Sequence, residues 1–371
     1  MSSQTGATVR MSIFGQSHSS AIGCVVEGLP SGFAIDVREL QAFLDRRAPG
    51  RNPWDTQRKE ADRIRILSGL NGNGETCGTP FAAIIENNDT RSGDYSELSR
   101  IPRPGHADFA AWAKWGDAHD TPGGGHFSGR LTAPMAIAGG VCMQILAARG
   151  IRIAAHLAEA AGIADEPFCA LDNSADAAAQ LASQMDALEG ASFPVLSDEA
   201  GEAMRTAILA ARDELDSVGG IVECVVCGLP AGVGAPHFDG LENTLARELF
   251  GIPAVKGVEF GAGFAAARLR GSANNDPYEI RDGAPVPATN NAGGILGGIS
   301  TGAPLVFSCA FKPISSISRE QRSVDLSAME ETTLAVRGRH DPCAAVRAVP
   351  VVEAIAAHAV LDALLSFPPE R

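Results

Sequence analysis

Polar and apolar positions along this chain alternate with two different periods, and the switches between them mark out the elements. Residues 8–13 and 21–27 are apolar-rich runs that predict short strands around an intervening His-bearing loop. From Arg63 to Leu70 charged and apolar residues alternate, the period of two that places one set on each face of a strand. Pro80–Ile85 predicts another strand, as do segments near 220–229 and 303–312. The helical period appears at Asp36–Arg47, where Leu40, Phe43 and Leu44 form one stripe. Asp36 stands at its N-cap with Glu39 at the capping-box position, and Pro49-Gly50 stops it. Further helices are predicted from Ser128 to Arg149, ended by Gly150; in two Ala-rich segments within 165–215; from an Asp239 cap, with Glu242 three residues on, to Phe250; and from Pro350 to Leu365. The last is apolar on most faces and therefore a core helix. Asn87–Phe127 is rich in Gly, Pro, Asp and Arg and lacks a period; a loop that long in a compact domain is functional or disordered. There is no internal repeat. Strands mixed with long helices, without regular βαβ alternation, predict an α+β fold.

Composition changes the picture in three ways. The 371 residues allow two domains at roughly 150 residues each, although single domains of this size occur. Aromatics are only 5% while glycines number 41, a mixture that suits close backbone packing and shaped loops. The net charge of −14 argues against nucleic-acid and acidic-membrane partners, whose phosphates need clustered Lys and Arg. A local arginine cluster still binds a small anion, because exposed charges are screened beyond about 8–10 Å. No basic-then-apolar signal segment and no apolar run of the roughly 20 residues that span a bilayer is evident, so a cytoplasmic location is expected. Eight cysteines lie mostly in apolar runs, as buried thiols do in a reducing compartment. Cys224 and Cys227 form a CxxC, but on a strand they point to opposite faces and serve as small core residues.

The candidate chemistry recurs beside glycines. Gly15-Gln16-Ser17-His18, Arg103-Pro104-Gly105-His106-Ala107-Asp108, Gly123-Gly124-Gly125-His126-Phe127-Ser128-Gly129-Arg130 and Gly338-Arg339-His340-Asp341-Pro342-Cys343 place acid-base groups where backbone can approach a ligand closely. The triple glycine precedes a helix, whose free N–H groups favour anions; a tight turn is the alternative. Arg46, Arg47 and Arg51 complement a helix C-terminus or clamp a phosphate or carboxylate. Asn290–Gly302 is glycine-dense, and Lys312-Pro313-Ile314-Ser315-Ser316-Ile317 offers a cation and hydroxyls for a phosphate. A P-loop, a dinucleotide fingerprint, a zinc-protease helix and a nucleophile elbow are all missing, so no metal site is expected. The inventory suits an anionic ligand handled by proton transfer at one site assembled from distant segments.

On Arg103–Asp108, Asn290–Gly302, Lys312–Ile317 and Gly338–Cys343 followed by Arg347-Ala348-Val349-Pro350, the chain resembles the chorismate synthase family, from Phe14 to Leu365. Asp45-Arg46-Arg47, Asp216-Ser217-Val218-Gly219-Gly220 and Ala254-Val255-Lys256-Gly257 fit as well. The resemblance implies one domain over 1–371 with long functional loops at about 87–127 and 271–302, and helices packed between two antiparallel sheets. It implies a carbon–oxygen lyase that converts 5-enolpyruvylshikimate 3-phosphate to chorismate and phosphate by anti-1,4-elimination with reduced FMN. It also implies a homotetramer supplied with reduced flavin by an external reductase or by NADPH; a catalytically impaired flavin- or anion-binding paralogue is the alternative. Carried over by resemblance, His18, His106 and Asp341 are catalytic and Arg47, Arg51, Arg130 and Arg339 bind substrate. Flavin contacts map to His126, Phe127, Ser128, Ala254, Gly297, Lys312, Pro313, Ile314, Ser315, Ser316 and Arg339. The chain departs from the family pattern at Gln16, Ser19, Pro53, His126-Phe127, Gly129, Leu131, Leu215 and Pro253.

Overall fold

The structure is a computed structural model that describes residues 3–50, 52, 54, 62–87, 98–336 and 341–370. Two five-stranded antiparallel sheets enclose a helical layer. The first is built from β1 (Gln4–Thr5), β2 (Arg10–Phe14), β3 (Ala21–Glu27), β4 (Arg65–Ser68) and β5 (Phe81–Glu86), in the order β1-β2-β3-β5-β4. The second contains β6 (Arg152–Ala160), β7 (Ile163–Ala164), β8 (Gly220–Cys227), β9 (Val255–Phe260) and β14 (Leu305–Phe311), in the order β7-β6-β8-β14-β9. Hairpins β10 (Tyr278–Arg281) with β11 (Ala284–Pro287), β12 (Ile295–Leu296) with β13 (Ile299–Ser300), and β15 (Gln321–Asp325) with β16 (Glu330–Leu334) lie outside both sheets. The helices are α1 (Val37–Arg47), α2 (Asp108–Trp115), α3 (Thr132–Ala147), α4 (Ala175–Ala187), α5 (Asp198–Asp213), α6 (Leu241–Leu249), the one-turn α7 (Gly271–Asn274) and α8 (Ala345–Ser366). Helix α3 packs on β2, β3 and β5, α8 packs on β6 and β8, and α3 and α8 pack on each other. This is the α+β class expected from the patterning and the helices-between-sheets arrangement implied by the resemblance.

Both central helices are apolar on nearly every face because sheet or helix covers every side. They are long and apolar enough to cross a membrane by length and composition, yet most of α8 and of Gly129–Ala147 is buried inside this core. Polar residues on α8 act as anchors. Glu353 accepts from Arg46 of α1 at 2.6 and 3.0 Å and from the Ala155 N–H. His358 bonds Glu248 of α6 at 2.7 Å. Asp362 accepts the N–H groups of Ala7, Thr8 and Val9. The two cysteines of the CxxC do face opposite sides of β8: Cys224 joins the central core, and Cys227 meets Met185 of α4.

Several local expectations need correction. Asp36 caps α1 through the Arg38 and Glu39 N–H groups, but its own N–H goes to Gln144 of α3 rather than to Glu39. The cap of α6 is Gly240, while Asp239 closes a preceding 3-10 turn. Helix α8 begins at Ala345, so Pro350 lies within it; the run before the proline is already buried against the core. Strand β6 went unread because it is Ala-rich and covered on both faces, which erases the period of two. Strand β9 follows a non-repeating loop, and α2 interrupts the long segment read as loop.

Helices α3 and α8 touch at Gly139, where a Cβ would sit 2.1 Å from the Ala354 carbonyl oxygen. Gly139→Ala is therefore expected to cost about 1–3 kcal/mol in urea unfolding, because backbone cannot yield as a side chain does. The same change on a free helix surface would stabilise by about 1 kcal/mol, and that sign would disprove the contact. Helix α5 closes with the Leu215 N–H on the Arg212 oxygen and the Asp216 N–H on the Ala211 oxygen, a Schellman pair that puts Leu215 at φ 62°. Leu215→Gly is expected to raise stability by about 1 kcal/mol, read as a higher melting temperature.

Candidate active site

A cavity of about 580 Å³ opens where the C-terminal end of α1, the 103–107 loop, the turn before α3, the 250–256 segment, the end of β14 and the start of α8 converge. Four of the glycine-associated clusters reach it or its wall. The triple glycine is a tight turn with φ of 61°, 84° and 53° at Gly123, Gly124 and Gly125, a run that L side chains rarely adopt. The reason is steric. A Cβ on Gly123 would lie 2.3 Å from His18 Cε1, and one on Gly124 would lie 3.2 Å from His106 Cε1 and Nε2. The two imidazoles thus flank one dipeptide, with the Ser17 N–H donating to the Gly125 oxygen at 3.0 Å. Of the two readings of this glycine run, the turn accounts for the geometry.

His106 is held by its own loop. Its Nδ1 lies 2.5 Å from Asp108 Oδ1, and the buried Asp108 also accepts from Arg103 N, Nε and Nη2 at 3.0, 2.7 and 2.8 Å. Burial of Asp108 works to raise its pKa, but hydrogen bonds from Arg103 and His106 and their charges hold it far below the usual carboxylate range. Arg103 Nη1 donates to Ser316 Oγ at 3.0 Å. Lys312 Nζ donates to the Gly105 oxygen at 2.9 Å and to Ser315 Oγ at 2.7 Å, so the segment after β14 is tied to the His106 loop. Burial, then the nearby Lys256 charge, lowers the Lys312 pKa.

On the opposite wall three guanidinium groups share two carboxylates. Asp62 is almost fully buried between Arg47, at 3.3 Å, and Arg130, which donates to it directly. Arg130 also donates to Asn87 Oδ1 at 3.2 Å. Arg347 bonds Asp341 at 2.5 Å and the Arg47 carbonyl oxygen at 2.9 Å. Burial would raise the Asp62 pKa; the charges of Arg47 and Arg130, the Arg130 hydrogen bond and the Arg347 charge lower it. Among the described residues the cavity lining carries Arg47, Arg103, Arg130, Lys256, Lys312 and Arg347 against one carboxylate, Asp341. Helices α3 and α8 also begin here, so two positive dipole ends add to the field.

Of the sequence-predicted residues, the cavity brings together Arg47, His106, His126, Phe127, Ser128, Arg130, Ala254, Lys312, Ile314, Ser315, Ser316 and Asp341, with His18 packed behind Gly123. Ala254 holds φ 75°, backbone strain at the cavity wall. Gly297 and Pro313 do not line it: Gly297 lies exposed in the β12–β13 turn and Pro313 faces out beside Gly219. Arg51 and Arg339 fall outside the described residues. His126 has both nitrogens engaged, Nδ1 with the Gly15 oxygen and Nε2 with Ser3 Oγ, each at 2.7 Å. Sequence reasoning missed Asp62 and Asn87, which stand in no glycine cluster and carry no motif. Arg347 was visible only as part of a motif.

The comparisons with known proteins agree with one another. The profile of the chorismate synthase family matches residues 9–365. The chorismate synthase of Lancefieldella parvula is 54% identical, covering 100% of this chain and 98% of that protein. The chorismate synthase of Thermococcus kodakarensis is 46% identical over 97% of each. A crystal structure of chorismate synthase superposes with a TM-score of 0.72 at 26% identity, over 98% of this chain and 93% of that one. With a match this long, and with His106 and an arginine cluster meeting in one cavity, the chain belongs to the chorismate synthase family, a lyase family of amino-acid biosynthesis that uses a flavin.

Proposed function

We propose that this cavity converts 5-enolpyruvylshikimate 3-phosphate to chorismate and phosphate by anti-1,4-elimination, with reduced FMN as cofactor. The observation that carries the reading is the convergence of His18 and His106 on Gly123-Gly124 beside a wall of arginines. The substrate bears two carboxylates and a phosphate, and guanidinium groups meet such anions bidentately. A flavin suits this cavity: its volume of about 580 Å³ is within the range of cofactor pockets, and its lining offers the apolar Phe250–Val255 segment together with Lys312 and the Ser315-Ser316 hydroxyls. Of the flavin contacts implied by resemblance, those that line the cavity enter this proposal: His126, Phe127, Ser128, Ala254, Lys312, Ile314, Ser315 and Ser316.

When bound, reduced FMN supplies electron density as the bond to phosphate weakens and an acceptor for the C6 proton. The chain supplies the rest. Arg47 and Arg130, set by Asp62, grip the anionic groups; His18 donates a proton to the departing phosphate. His106 holds a proton at the flavin side, and Asp341, oriented by Arg347, assists proton removal. A homotetramer in the cytoplasm, fed with reduced flavin by an outside reductase or NADPH, completes the proposal.

The test is phosphate release from the substrate under anaerobic conditions with reduced FMN; binding of both without release would favour the impaired paralogue. His106→Ala is expected to lower turnover by about 10²–10⁴-fold, and near-wild-type turnover would remove His106 from the reaction. Arg47→Ala is expected to raise the substrate KM by about 10–100-fold, the scale of one charged hydrogen-bonding group. The FMN Kd should stay within about threefold, and equal loss of both would contradict a substrate clamp.

A further inference from the structure

We propose that Asp108, braced by Arg103, is a positioning residue that keeps a proton on Nδ1 of His106 and so makes Nε2 the nitrogen that exchanges protons with the cavity. Its place in the reaction rests on the function proposed above; the tautomer itself rests on geometry alone.

His106 Nδ1 has two polar neighbours, Asp108 Oδ1 at 2.5 Å and Arg103 Nη2 at 3.0 Å. An ionised carboxylate only accepts, and a guanidinium only donates. If Nδ1 were bare, it would accept from Arg103 but would set its lone pair against that of Asp108 at the shorter distance. If Nδ1 carries hydrogen, it donates to Asp108 Oδ1, and Arg103 Nη2 donates to the same oxygen at 2.8 Å. The second arrangement satisfies every group, and it also explains why two donors crowd one carboxylate oxygen. Asp108 Oδ2 is occupied by Arg103 N and Nε, so the carboxylate cannot turn away.

The ring is confined on its other side. Gly124 lies so close to Cε1 and Nε2 that a Cβ would meet both at 3.2 Å, and Ser316 fixes the far end of Arg103. Among the described residues Nε2 takes no hydrogen bond, while His106 lines the cavity. A proton given from Nε2 of the imidazolium to a cavity acceptor leaves neutral His106 with its Nδ1–H still on Asp108. The reverse step restores the imidazolium, and the carboxylate stays ionised throughout. The dyad is therefore an orienting device, as a carboxylate behind a histidine is in many acid-base sites. The charged and titratable groups around the ring are Arg103 and Asp108 on its own loop, Lys312 through Gly105, and the His18 imidazole across the glycine turn.

The experiment is ¹⁵N NMR of the imidazole rings in the full-length protein, with the His106 signals identified by their loss in His106→Gln. The expected result is the Nδ1–H tautomer for neutral His106 in the unsubstituted protein; an Nε2–H tautomer would overturn the proposal, and this reading needs no variant at Asp108 to fold. Asp108→Asn is expected to abolish the preference for Nδ1–H and to lower turnover by about 10²–10⁴-fold, with substrate KM and FMN Kd within about threefold. In a His106→Ala background the same substitution is expected to change turnover by less than about threefold. A full loss in that background would show that Asp108 acts through the fold rather than through His106. Should the unsubstituted protein release no phosphate at all, the proposed function fails, while the tautomer remains readable by NMR.

Discussion

The backbone contact between α3 and α8 sets the rest of the molecule. Gly139 lets the two helices approach until its hydrogen faces the Ala354 carbonyl, and Gly140 leaves room for Leu40 and Phe43 of α1 on the adjoining side. Both helices start at the cavity and meet seven and nine residues in, at Gly139 and Ala354, so they run side by side in the same direction. At 1.5 Å per residue the contact lies roughly 10–14 Å below the site. The close pair fills the space between two sheets, and it also aims two helix N-termini at one hollow. Helix α1 runs the other way and ends there: Arg47 in its last turn lines the same hollow, while Arg46 turns to Glu353 of α8.

That convergence explains how a chain of net charge −14 keeps a cationic cavity. The acidic residues are mostly on the surface, where solvent screens them. Around the cavity, cationic groups stand against carboxylates: Arg47 and Arg130 on the buried Asp62, Arg103 on the buried Asp108, and Arg347 on the half-buried Asp341. A buried guanidinium left unpaired would be costly, and a carboxylate behind each one removes much of that cost while fixing its direction. Cations still outnumber carboxylates at the lining, which leaves a net attraction for an anionic ligand and donors that do not have to reorganise when it arrives.

The sequence revealed the site better than it revealed the frame that builds it. His18, His106, Arg47, Arg130 and Asp341 were legible because each stands beside a glycine or at a helix end, where few structural duties compete with function. Asp62 was not, because a single carboxylate in a charged segment carries no local pattern; only tertiary folding brings Arg47 and Arg130 to it. Six of the ten strands in the two large sheets and the long helices followed from their periods, while the three small hairpins did not. Strand β6 did not, since sheet residues covered on both faces lose alternation, and the Ala-rich Arg152–Ala160 reads as helix or coil. The α8 start was misplaced because Pro350 reads as a first-turn residue while the helix begins a turn earlier.

The departures from the family pattern show where this architecture tolerates change. Ser19 needs no glycine conformation, and its hydroxyl closes the His18 loop by accepting from the Gln16 N–H and donating to a loop carbonyl. His126 spends both nitrogens joining the Gly15 oxygen to Ser3, so it braces the loop that carries His18. Leu131 is buried in the core at the start of α3, where an apolar side chain suits its surroundings. Leu215 keeps the helix-ending conformation at the expense of backbone strain. Ser19 and Leu215 are absorbed within their own turns, whereas His126 and Leu131 are met by distant segments. Gly123 and Gly124 have no such freedom, because their missing side chains are the space that His18 and His106 occupy. A changed side chain is thus accommodated where a partner or a space exists for it, and Gly123 and Gly124 have neither, because two imidazoles fill the volume a side chain would need.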